Sequence, residues 1–576
     1  MDTVTMFLRL AVFALVAKSL DAYSSYRDNI PNGYNVTHPC DSSMTWNGVG
    51  HENAMGGGAR NPFGLDFKAN NAVWDAAFCQ KDSDGDGRTN GEELGDPNCV
   101  WMKGSVPQVK TGITHPGVCE PIGSTKCTGK NAFVNCQNTG KFVCPAIERT
   151  DTLKFEYRFP RTAVPTQETT YMCMNIQLPA NSTYHLIASE PIIDNINIMH
   201  HIIVYGCPGL ENAPGPLNKP APCGAMKAQC TEMISLWAFG THGSCFNENM
   251  GFKVGAGGLK YAIMEFHWNN PMLISTYTDS SGYAFYMTPN LRQYNAGVLM
   301  IGQNYLQIPP FATGHVESGS CTGSCSRQIM TSEIYLTEVT NHMHGLGKSM
   351  ITELKRNGTR VQYLAKDDVF DYNAPVTHNY DVPVMIHPGD EMKTTCVYQS
   401  VKRNLTTFYG EGTQEEMCFS FLIYYPMESM SSRMCQSWKS MDFCEWALTP
   451  VKRGCNFTQL SDPNSKYTEI NKMIAEKCTP FVCRQECFAL RKELQKDPCF
   501  QGDTHDLYRR FALYNNQTKS EVTYFFAQLD SCDWEMWEEG RGHDNGDHGG
   551  KVSGVAASVA TAFTSVLVPL LSALYL

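Results

Sequence analysis

The chain has 576 residues, which is long enough for several domains with separate hydrophobic cores. Hydrophobic residues make up 42% of it and charged residues only 18%, a balance that favours ordered globular domains over disorder or a coiled coil. The net charge of -11 argues against nucleic acid as a partner, because nucleic-acid-binding proteins normally present a basic face.

The N-terminus predicts a secretory signal peptide at residues 1–22. An apolar stretch from Met6 to Val16 precedes the small residue Ala22, although Asp2 and Arg9 are unusual in such a segment. The alternative is a buried first helix.

The cysteines and the glycosylation sequons point to the same compartment. There are 24 cysteines, an even number, without the repeated tight pairs of zinc sites, so disulfides in an oxidising compartment are the simpler interpretation. We therefore expect a protein of the secretory pathway, either secreted or held at the cell surface. Six N-x-S/T sequons agree with this expectation: Asn35, Asn181, Asn357, Asn404, Asn456 and Asn516.

The C-terminus predicts a membrane attachment. A charged, glycine-rich segment from Glu538 to Lys551 leads into an apolar tail that ends at Leu576, and no basic residue follows it. This pattern favours a GPI-attachment signal at residues 541–576, with the attachment site between Asn545 and Gly554. The alternative is a retained membrane span, for which roughly 20 residues suffice.

Residues 82–93 match a twelve-residue calcium loop. A hard cation needs many oxygen ligands on a backbone that curls around it, and this spacing supplies them. The alternative is a solvated acidic turn, because Asp and Gly also favour turns. The predicted calcium ligands are Asp82, Asp84, Asp86, the carbonyl of Arg88, Asn90 and Glu93, with Gly87 at the sharp turn.

Segments around this loop resemble temptin, a secreted pheromone protein. The similar segments are Tyr26–Gly33, Trp46–His51 and Arg60–Gly64, and the resemblance spans residues 23–118. It implies a calcium-binding, disulfide-held extracellular module whose role is interaction, and hence a candidate extracellular protein partner. A cysteine-rich connector at 119–150 follows.

Short runs rich in Val, Ile, Tyr, Phe and Thr, separated by turn residues, continue from about residue 153 to residue 426. They predict antiparallel β-sandwiches. Examples are His201–Tyr205, Tyr261–Trp268, Ile334–Thr340 and Phe419–Tyr425. A cysteine-rich extension at 431–540 contains the helix-like segments Glu486–Gln495 and His505–Tyr514.

Several histidines and one methionine along this β region are candidate metal ligands. A lone histidine in an apolar strand is usually a hydrogen-bonded core residue, and a lone methionine usually packs. His342 and His344, however, are two apart at a predicted strand end, so their side chains share one face. His200 and His201 cannot share a face on a regular strand, but a bulge or strand end could bring them together, with His267 as a third nitrogen.

The surrounding segments resemble the copper type II ascorbate-dependent monooxygenases, particularly the dopamine β-hydroxylase-like branch. These segments are Met199–Cys207, Glu265–Pro271, His342–Gly347 and Gly412–Cys418, and the resemblance covers about residues 150–500. The segment from His387 to Cys396 is also similar, and the resemblance gives His387 no ligand role.

The resemblance implies two successive jelly-roll-like copper domains, expected at 151–320 and 321–430, that face each other across a cleft. It implies an electron-transfer copper and an oxygen-binding copper, with ascorbate as the reductant and O2 and a small molecule as substrates. The implied ligands of the first copper are His200, His201 and His267, and those of the second are His342, His344 and Met417.

Four positions bear on the substrate. Peptide-amidating relatives carry an arginine where this chain has Thr340, and their Asn and Tyr contacts are replaced by Phe419 and Phe421, so peptide amidation is disfavoured. Glu265 stands where amine-hydroxylating relatives also carry a glutamate, which makes it a candidate contact for an aromatic amine. The alternative for Glu265 is a strand carboxylate bonded to its neighbours.

Three function classes follow from the sequence. The leading hypothesis is a monooxygenase that hydroxylates a C–H bond of a small, amine-like aromatic molecule. The others are a non-catalytic surface or pheromone-type binding protein on the same scaffold, and a copper-storage protein. The retained ligand positions favour the first.

Overall fold

The computed structural model describes residues 24–56, 59–134, 136, 142–223, 229–238, 242–270, 272–372, 375–410, 412, 414–513 and 519–542. Strands account for 35% and helices for 22%, so the expected mainly β class is confirmed. The predicted signal peptide, the anchor signal beyond residue 542 and Asn516 lie outside the described residues. None of the described helices combines the length and the hydrophobicity needed to cross a membrane.

The N-terminal module is a loop-rich unit around a small aromatic core that includes Trp46, Phe63 and Phe78. Asn61 caps the first helix by accepting a hydrogen bond from the Gly64 N–H, and Pro62 occupies the first helical turn. A Cβ on Gly64 would lie 1.8 Å from the Gly50 carbonyl oxygen, so only glycine fits this approach. The elements are β1 (Thr37–His38), β2 (Asp41–Thr45), α1 (Pro62–Ala69), α2 (Ala76–Cys79) and α3 (Asn90–Leu94).

The first sandwich consists of two facing sheets. One has the strand order β15-β11-β6-β14-β3 with β10 beside β6, and the other has the order β8-β5-β12-β7-β9. Pairing is antiparallel apart from β11 with β15. The strands are β3 (Leu153–Arg158), β4 (Thr162–Ala163), β5 (Thr169–Gln177), β6 (Thr183–Ile192), β7 (Met199–Gly206), β8 (Ala221–Pro222), β9 (Glu232–Ala238), β10 (Ser244–Cys245), β11 (Met250–Gly255), β12 (Tyr261–Asn269), β13 (Thr278–Asp279), β14 (Gly282–Thr288) and β15 (Tyr294–Asn295).

The second sandwich pairs the sheets β22-β19-β25-β16-β26 and β18-β23-β20-β21. Pairing is antiparallel apart from β16 with β26. Its elements are β16 (Gly297–Gln303), β17 (Gln307–Ile308), β18 (His315–Cys321), α4 (Gly323–Ile329), β19 (Ile334–His342), β20 (Gly347–Arg356), β21 (Thr359–Asp367), β22 (Thr377–Ile386), β23 (Glu391–Tyr398), β24 (Thr407–Phe408), β25 (Cys418–Tyr425) and β26 (Met434–Ser437).

The limits of the second sandwich differ from the expected 321–430. The strand β16 lies between β25 and β26 in one sheet, and β18 is the edge of the other, so this sandwich includes residues from about 297 to 437. The predicted boundary differs from the observed one because strands that pair in a sheet can be distant in sequence. The spacing of turn residues does not reveal which strands pair.

The two sandwiches meet along an apolar seam. We call β8-β5-β12-β7-β9 and β22-β19-β25-β16-β26 the seam sheets, because residues of both line the space between the sandwiches. Tyr425 of β25 is 5% exposed and belongs to the hydrophobic core of the first sandwich. Its ring stacks between Tyr294, at 5.1 Å, and Tyr335, at 5.3 Å. Arg433 forms an ion pair with Glu232 across the same boundary.

The C-terminal extension is helical and cross-linked, as expected. Its disulfides are Cys455–Cys499, Cys478–Cys487 and Cys483–Cys532. All 24 cysteines are paired, which agrees with the secretory pathway. The elements are β27 (Val451–Lys452), β28 (Cys455–Asn456), α5 (Phe457–Leu460), α6 (Lys466–Lys477), α7 (Gln485–Leu494), α8 (Gly502–Leu513), α9 (Lys519–Leu529) and α10 (Asp533–Gly542).

Arg292 anchors the segment that connects the two sandwiches. Its Nη1 donates to the carbonyl oxygens of Phe246, Asn247 and Met250 at 3.0, 2.8 and 2.7 Å. Its backbone N–H donates to His185 Nδ1 at 3.0 Å. One guanidinium therefore satisfies three carbonyls of a turn in the first sandwich immediately before the chain enters the second.

We expect Arg292→Met to lower the free energy of unfolding by about 3 kcal/mol, because three carbonyl acceptors lose a charged donor. Thermal unfolding of the purified chain measures the effect. Arg360→Met is the control, since that side chain is 50% exposed and its carboxylate partner is 3.8 Å away. Equal unfolding midpoints for the two variants would contradict the anchoring role.

Candidate metal centres

His200, His201 and His267 form the first histidine group. His267 of β12 lies opposite His201 of β7, and the next ladder pair is Trp268 with Met199, so His200 is the extra residue of a β-bulge. The bulge turns His200 toward its neighbours, and ligand atoms of all three residues lie within 4.8 Å of one another. Of the two arrangements that the sequence left open, a bulge or a strand end, the structure contains the bulge.

His267 is the most sequestered member of this group. It is 2% exposed, and neither ring nitrogen has a hydrogen-bond partner in the part of the chain that the structure describes. Burial, followed by repulsion from His200 and His344, lowers the pKa of His267 well below its usual range. The ring of Tyr171 stacks on it at 4.3 Å. The result is a neutral imidazole whose nitrogen lone pair is available to a metal ion.

His342 and His344 form the second histidine group, at the end of β19. Their rings lie 5.3 Å apart and nearly perpendicular. Burial, with smaller contributions from His344 and His200, lowers the pKa of His342 to about 3. Met417 is half-buried and lies two residues before Phe419, the cross-strand partner of His342. Met417 is therefore close in register to the end of β19.

Glu416, which the sequence analysis did not single out, ties the Met417 segment to the second group. Its two carboxylate oxygens accept the backbone N–H groups of His344 and Leu346, at 2.8 and 2.6 Å. His344 Nδ1 also lies 2.9 Å from the Glu415 carbonyl oxygen, which fixes the ring. The sequence offered one signal for this role, since Glu416 directly precedes the candidate ligand Met417.

Tyr372 joins the two groups and was also missed. Its ring lies 4.9 Å from that of His200 and 5.4 Å from that of His344. The preceding residue, Asp371, pairs with Arg60 of the N-terminal module at 3.4 Å. The module thus contacts the segment that carries the ring between the histidine groups.

Glu265 lies two residues before His267 on β12, so the two side chains share one face of the first seam sheet. Glu265 is 2% exposed, and its carboxylate lies within 4.8 Å of the sulfurs of Cys173 and Cys223, which are joined in a disulfide. Its role as a substrate contact stays a prediction.

The acidic loop of the N-terminal module is closed by hydrogen bonds to its own carboxylates. Asp82 accepts backbone N–H groups of Gly85, Asp86 and Gly87 at 2.7–3.1 Å, and the carboxylates of Asp82, Asp84 and Asp86 lie within 4.8 Å. Gly87 has a φ of 96°, which a side chain would disfavour.

Three buried oxygens of this loop have no hydrogen-bond partner: Asp84 Oδ2, Asn90 Oδ1 and Glu93 Oε2. Glu93 is fully buried, and its other oxygen accepts the Thr114 hydroxyl at 2.9 Å. Burial and then the neighbouring carboxylates raise the pKa of Asp84 to about 7 and that of Glu93 to about 9. The loop therefore concentrates acceptors that no group of the described chain satisfies.

We expect Glu416→Ala to lower the free energy of unfolding by about 3 kcal/mol, because two buried backbone N–H groups lose their acceptor. Glu416→Gln retains one acceptor, so its free energy of unfolding should lie between that of Glu416→Ala and that of the original chain. Thermal unfolding measures the series. The control is Glu415→Ala, which removes an exposed carboxylate one residue away. A larger loss in the control would show that Glu416 does not hold the segment.

Comparisons with known proteins cover three parts of the chain. The profile of the Temptin C-terminal domain matches residues 20–118. The N-terminal and C-terminal domains of copper type II ascorbate-dependent monooxygenase match residues 155–275 and 294–446.

Human (Homo sapiens) dopamine beta-hydroxylase is 32% identical over 301 residues, covering 50% of this chain and 48% of that protein. Tyramine beta-hydroxylase of Caenorhabditis briggsae is 31% identical, covering 54% of this chain and 53% of that protein. This chain thus spans about half the length of these relatives. Among solved structures, the major capsid protein P2 of Bacteriophage PM2 aligns with a TM-score of only 0.23. The chain therefore carries both domains of the copper type II ascorbate-dependent monooxygenase family behind a temptin-type N-terminal domain.

Proposed function

We propose that the chain is a copper- and ascorbate-dependent monooxygenase that uses O2 to hydroxylate a C–H bond of a small, amine-bearing aromatic molecule. The observation that carries the proposal is the convergence of three imidazoles, His200, His201 and His267, whose ligand nitrogens lie within 4.8 Å of one another. Within this group His267 is buried, and neither of its ring nitrogens has a hydrogen-bond partner among the described residues, which leaves both available to a metal ion.

The residues present fit two copper ions. His200, His201 and His267 would hold one, and His342, His344 and Met417 the other, since imidazoles with a thioether favour copper in its reduced state. Bound copper would supply one-electron redox chemistry and O2 activation, with ascorbate as the electron donor. The chain itself keeps His267 and His342 neutral, orients His344 through Glu415 and Glu416, and buries the site against water.

The purified, copper-loaded chain is expected to show ascorbate-dependent O2 uptake that phenylethylamines stimulate. His267→Ala and Met417→Ala should each reduce the stimulated uptake by roughly 100-fold or more, since even outer contacts of a metal site are worth 10–100-fold. Each should also remove one of two copper ions per chain. His387→Ala, outside both histidine groups, is the control. Two ions bound without stimulated uptake for a wide metabolite panel would favour the binding-protein or storage hypothesis.

We also propose a calcium ion in the loop at 82–93. The three unpaired oxygens of Asp84, Asn90 and Glu93 occupy the third, ninth and twelfth positions of the loop, where a calcium loop places ligands. Asp82, Asp86 and the Arg88 carbonyl would complete the set. A cation would offset the loss of hydration and the mutual repulsion that together raise the pKa of Asp84 and Glu93.

Calcium is expected to raise the thermal midpoint of the N-terminal module, and Glu93→Gln to weaken calcium binding by roughly tenfold or more. The pKa values of about 7 for Asp84 and about 9 for Glu93 mean that protons compete with the ion, so affinity should rise between pH 6 and pH 9. Glu92→Gln is the control, because an amide there can still accept from the Thr89 N–H. Identical midpoints with calcium and with chelator would eliminate the site.

Glycosylation and cell-surface attachment complete the proposal. Asn35, Asn181, Asn357 and Asn404 are exposed, whereas Asn456 is half-buried and caps a helix turn. The tail at 541–576 would attach the chain to the membrane, through a GPI anchor or as a retained span. The temptin-like module would bind an extracellular protein partner.

A further inference from the structure

Three consecutive residues after β21 each contact a different part of the molecule. They are Phe370, Asp371 and Tyr372, and we call them the bridging segment. Phe370 is 8% exposed and packs with Met343 in a hydrophobic cluster of the second sandwich. Its backbone N–H donates to the Lys348 carbonyl oxygen at 2.9 Å. The first residue of the segment is therefore fixed to the second sandwich.

Tyr372, the last residue of the bridging segment, contacts both histidine groups. Its ring centre lies 4.9 Å from that of His200 in the first sandwich and 5.4 Å from that of His344 in the second. Aromatic rings at these separations attract one another. A displacement of this one ring would therefore change the packing of a candidate ligand in each group.

Asp371, the middle residue, pairs with the N-terminal module. Its Oδ2 lies 3.4 Å from Nη2 of Arg60, and the two side chains are 10% and 18% exposed. Lys68 of α1 adds a second positive charge nearby, since burial and then Arg60 lower the pKa of Lys68 while Asp371 opposes them. The Arg60 backbone forms a bridge with His51 and precedes the helix-capping residue Asn61. The ion pair thus joins an ordered point of the module to the bridging segment.

The same module is attached covalently to the first sandwich. The disulfide Cys40–Cys136 joins it to the cysteine-rich connector, and Cys144–Cys245 joins the connector to β10. Around the second disulfide the connector packs against β6 and β14 in one hydrophobic cluster. The module is therefore linked to the first sandwich through disulfides and to the second through Asp371.

We propose that the N-terminal module connects the two sandwiches, and that Arg60 is a positioning residue that holds the Tyr372 ring between the histidine groups through Asp371. The inference rests on the proposed function, which it deepens by giving this module a part in setting the relation between the two candidate copper sites. Removal of the Arg60 charge would leave the Asp371 carboxylate poorly hydrated in the interface, so the carboxylate would move toward water. The adjacent Tyr372 ring would move with it.

Hydrogen–deuterium exchange of the full chain without copper tests the connection. Arg60→Met should accelerate amide exchange at residues 368–372 by roughly tenfold or more, because a hydrogen bond between charged groups is worth at least that factor. Asp371→Asn should do the same, and the double variant should show less than the sum of the two effects, since both changes remove one pair. The matched control is Lys81→Met, which removes a cation that pairs with Asp66 inside the module, at 2.6 Å. It should leave exchange at residues 368–372 unchanged.

Electron paramagnetic resonance of the oxidised chain with two copper ions bound tests the positioning role. The magnetic dipolar coupling between two such ions falls steeply with their separation, and its measurement requires no turnover. Arg60→Met should weaken this coupling, because the sandwiches lose one of their connections at the histidine groups. Lys81→Met should leave the spectrum of the original chain unaltered.

Three results would overturn the inference. They are unchanged exchange at residues 368–372 in Arg60→Met, an equal acceleration in Lys81→Met, and faster exchange in Arg60→Met with an unaltered dipolar coupling. The proposed function fails through different observations, namely fewer than two bound copper ions or no ascorbate-dependent O2 uptake. Faster exchange in Arg60→Met alone would then still support the connection through Asp371 while the monooxygenase is rejected. Substrate-stimulated uptake with unchanged exchange would do the reverse.

Discussion

Tyr425 ends the central strand of the second sandwich, yet its ring is part of the core of the first. That shared packing holds the two seam sheets together, and each sheet removes the face of the other from water. Apolar residues on those faces stabilise the contact. Ionisable residues there lose hydration, which is the largest cause of the lowered pKa values of His267 and His342. The candidate chemistry therefore depends on domain packing as much as on the ligands themselves.

Three local features position the candidate copper ligands at this seam. A bulge gathers His200 and His201 against His267. The strand β19 ends at His342, so the backbone leaves the sheet before His344. The Glu416 carboxylate accepts the His344 N–H and thereby connects that turn to the segment before β25. The disulfide Cys396–Cys418 links β25 to β23 directly after Met417, so the methionine segment is held by covalent as well as hydrogen bonds. The site is rigid where the two seam sheets meet.

The sequence predicted the elements whose signal is local. Short runs rich in Val, Ile, Tyr, Phe and Thr located β7, β12, β19 and β25 within one or two residues, and the twelve-residue acidic loop has a fixed spacing. Tyr372 could not be found in this way, because its significance comes from partners in other elements. Its ring lies between those of His200 and His344. The limits of the second sandwich were missed for the same reason, since β16 pairs with β25 and β26 more than a hundred residues away. The neighbourhood of Glu265 was equally invisible, since its carboxylate packs against the disulfide between Cys173 and Cys223.

The bulge at His200 also determines what kind of sequence change this part of the chain can absorb. Conservative replacements of the aliphatic residues that follow leave the backbone path intact. Loss of a single residue at the bulge would restore regular alternation and turn one histidine of the doublet to the opposite face of the sheet. Length is therefore under stricter constraint than composition in this strand, and descendants of this chain would diverge here through substitution, with insertions and deletions confined to the loops.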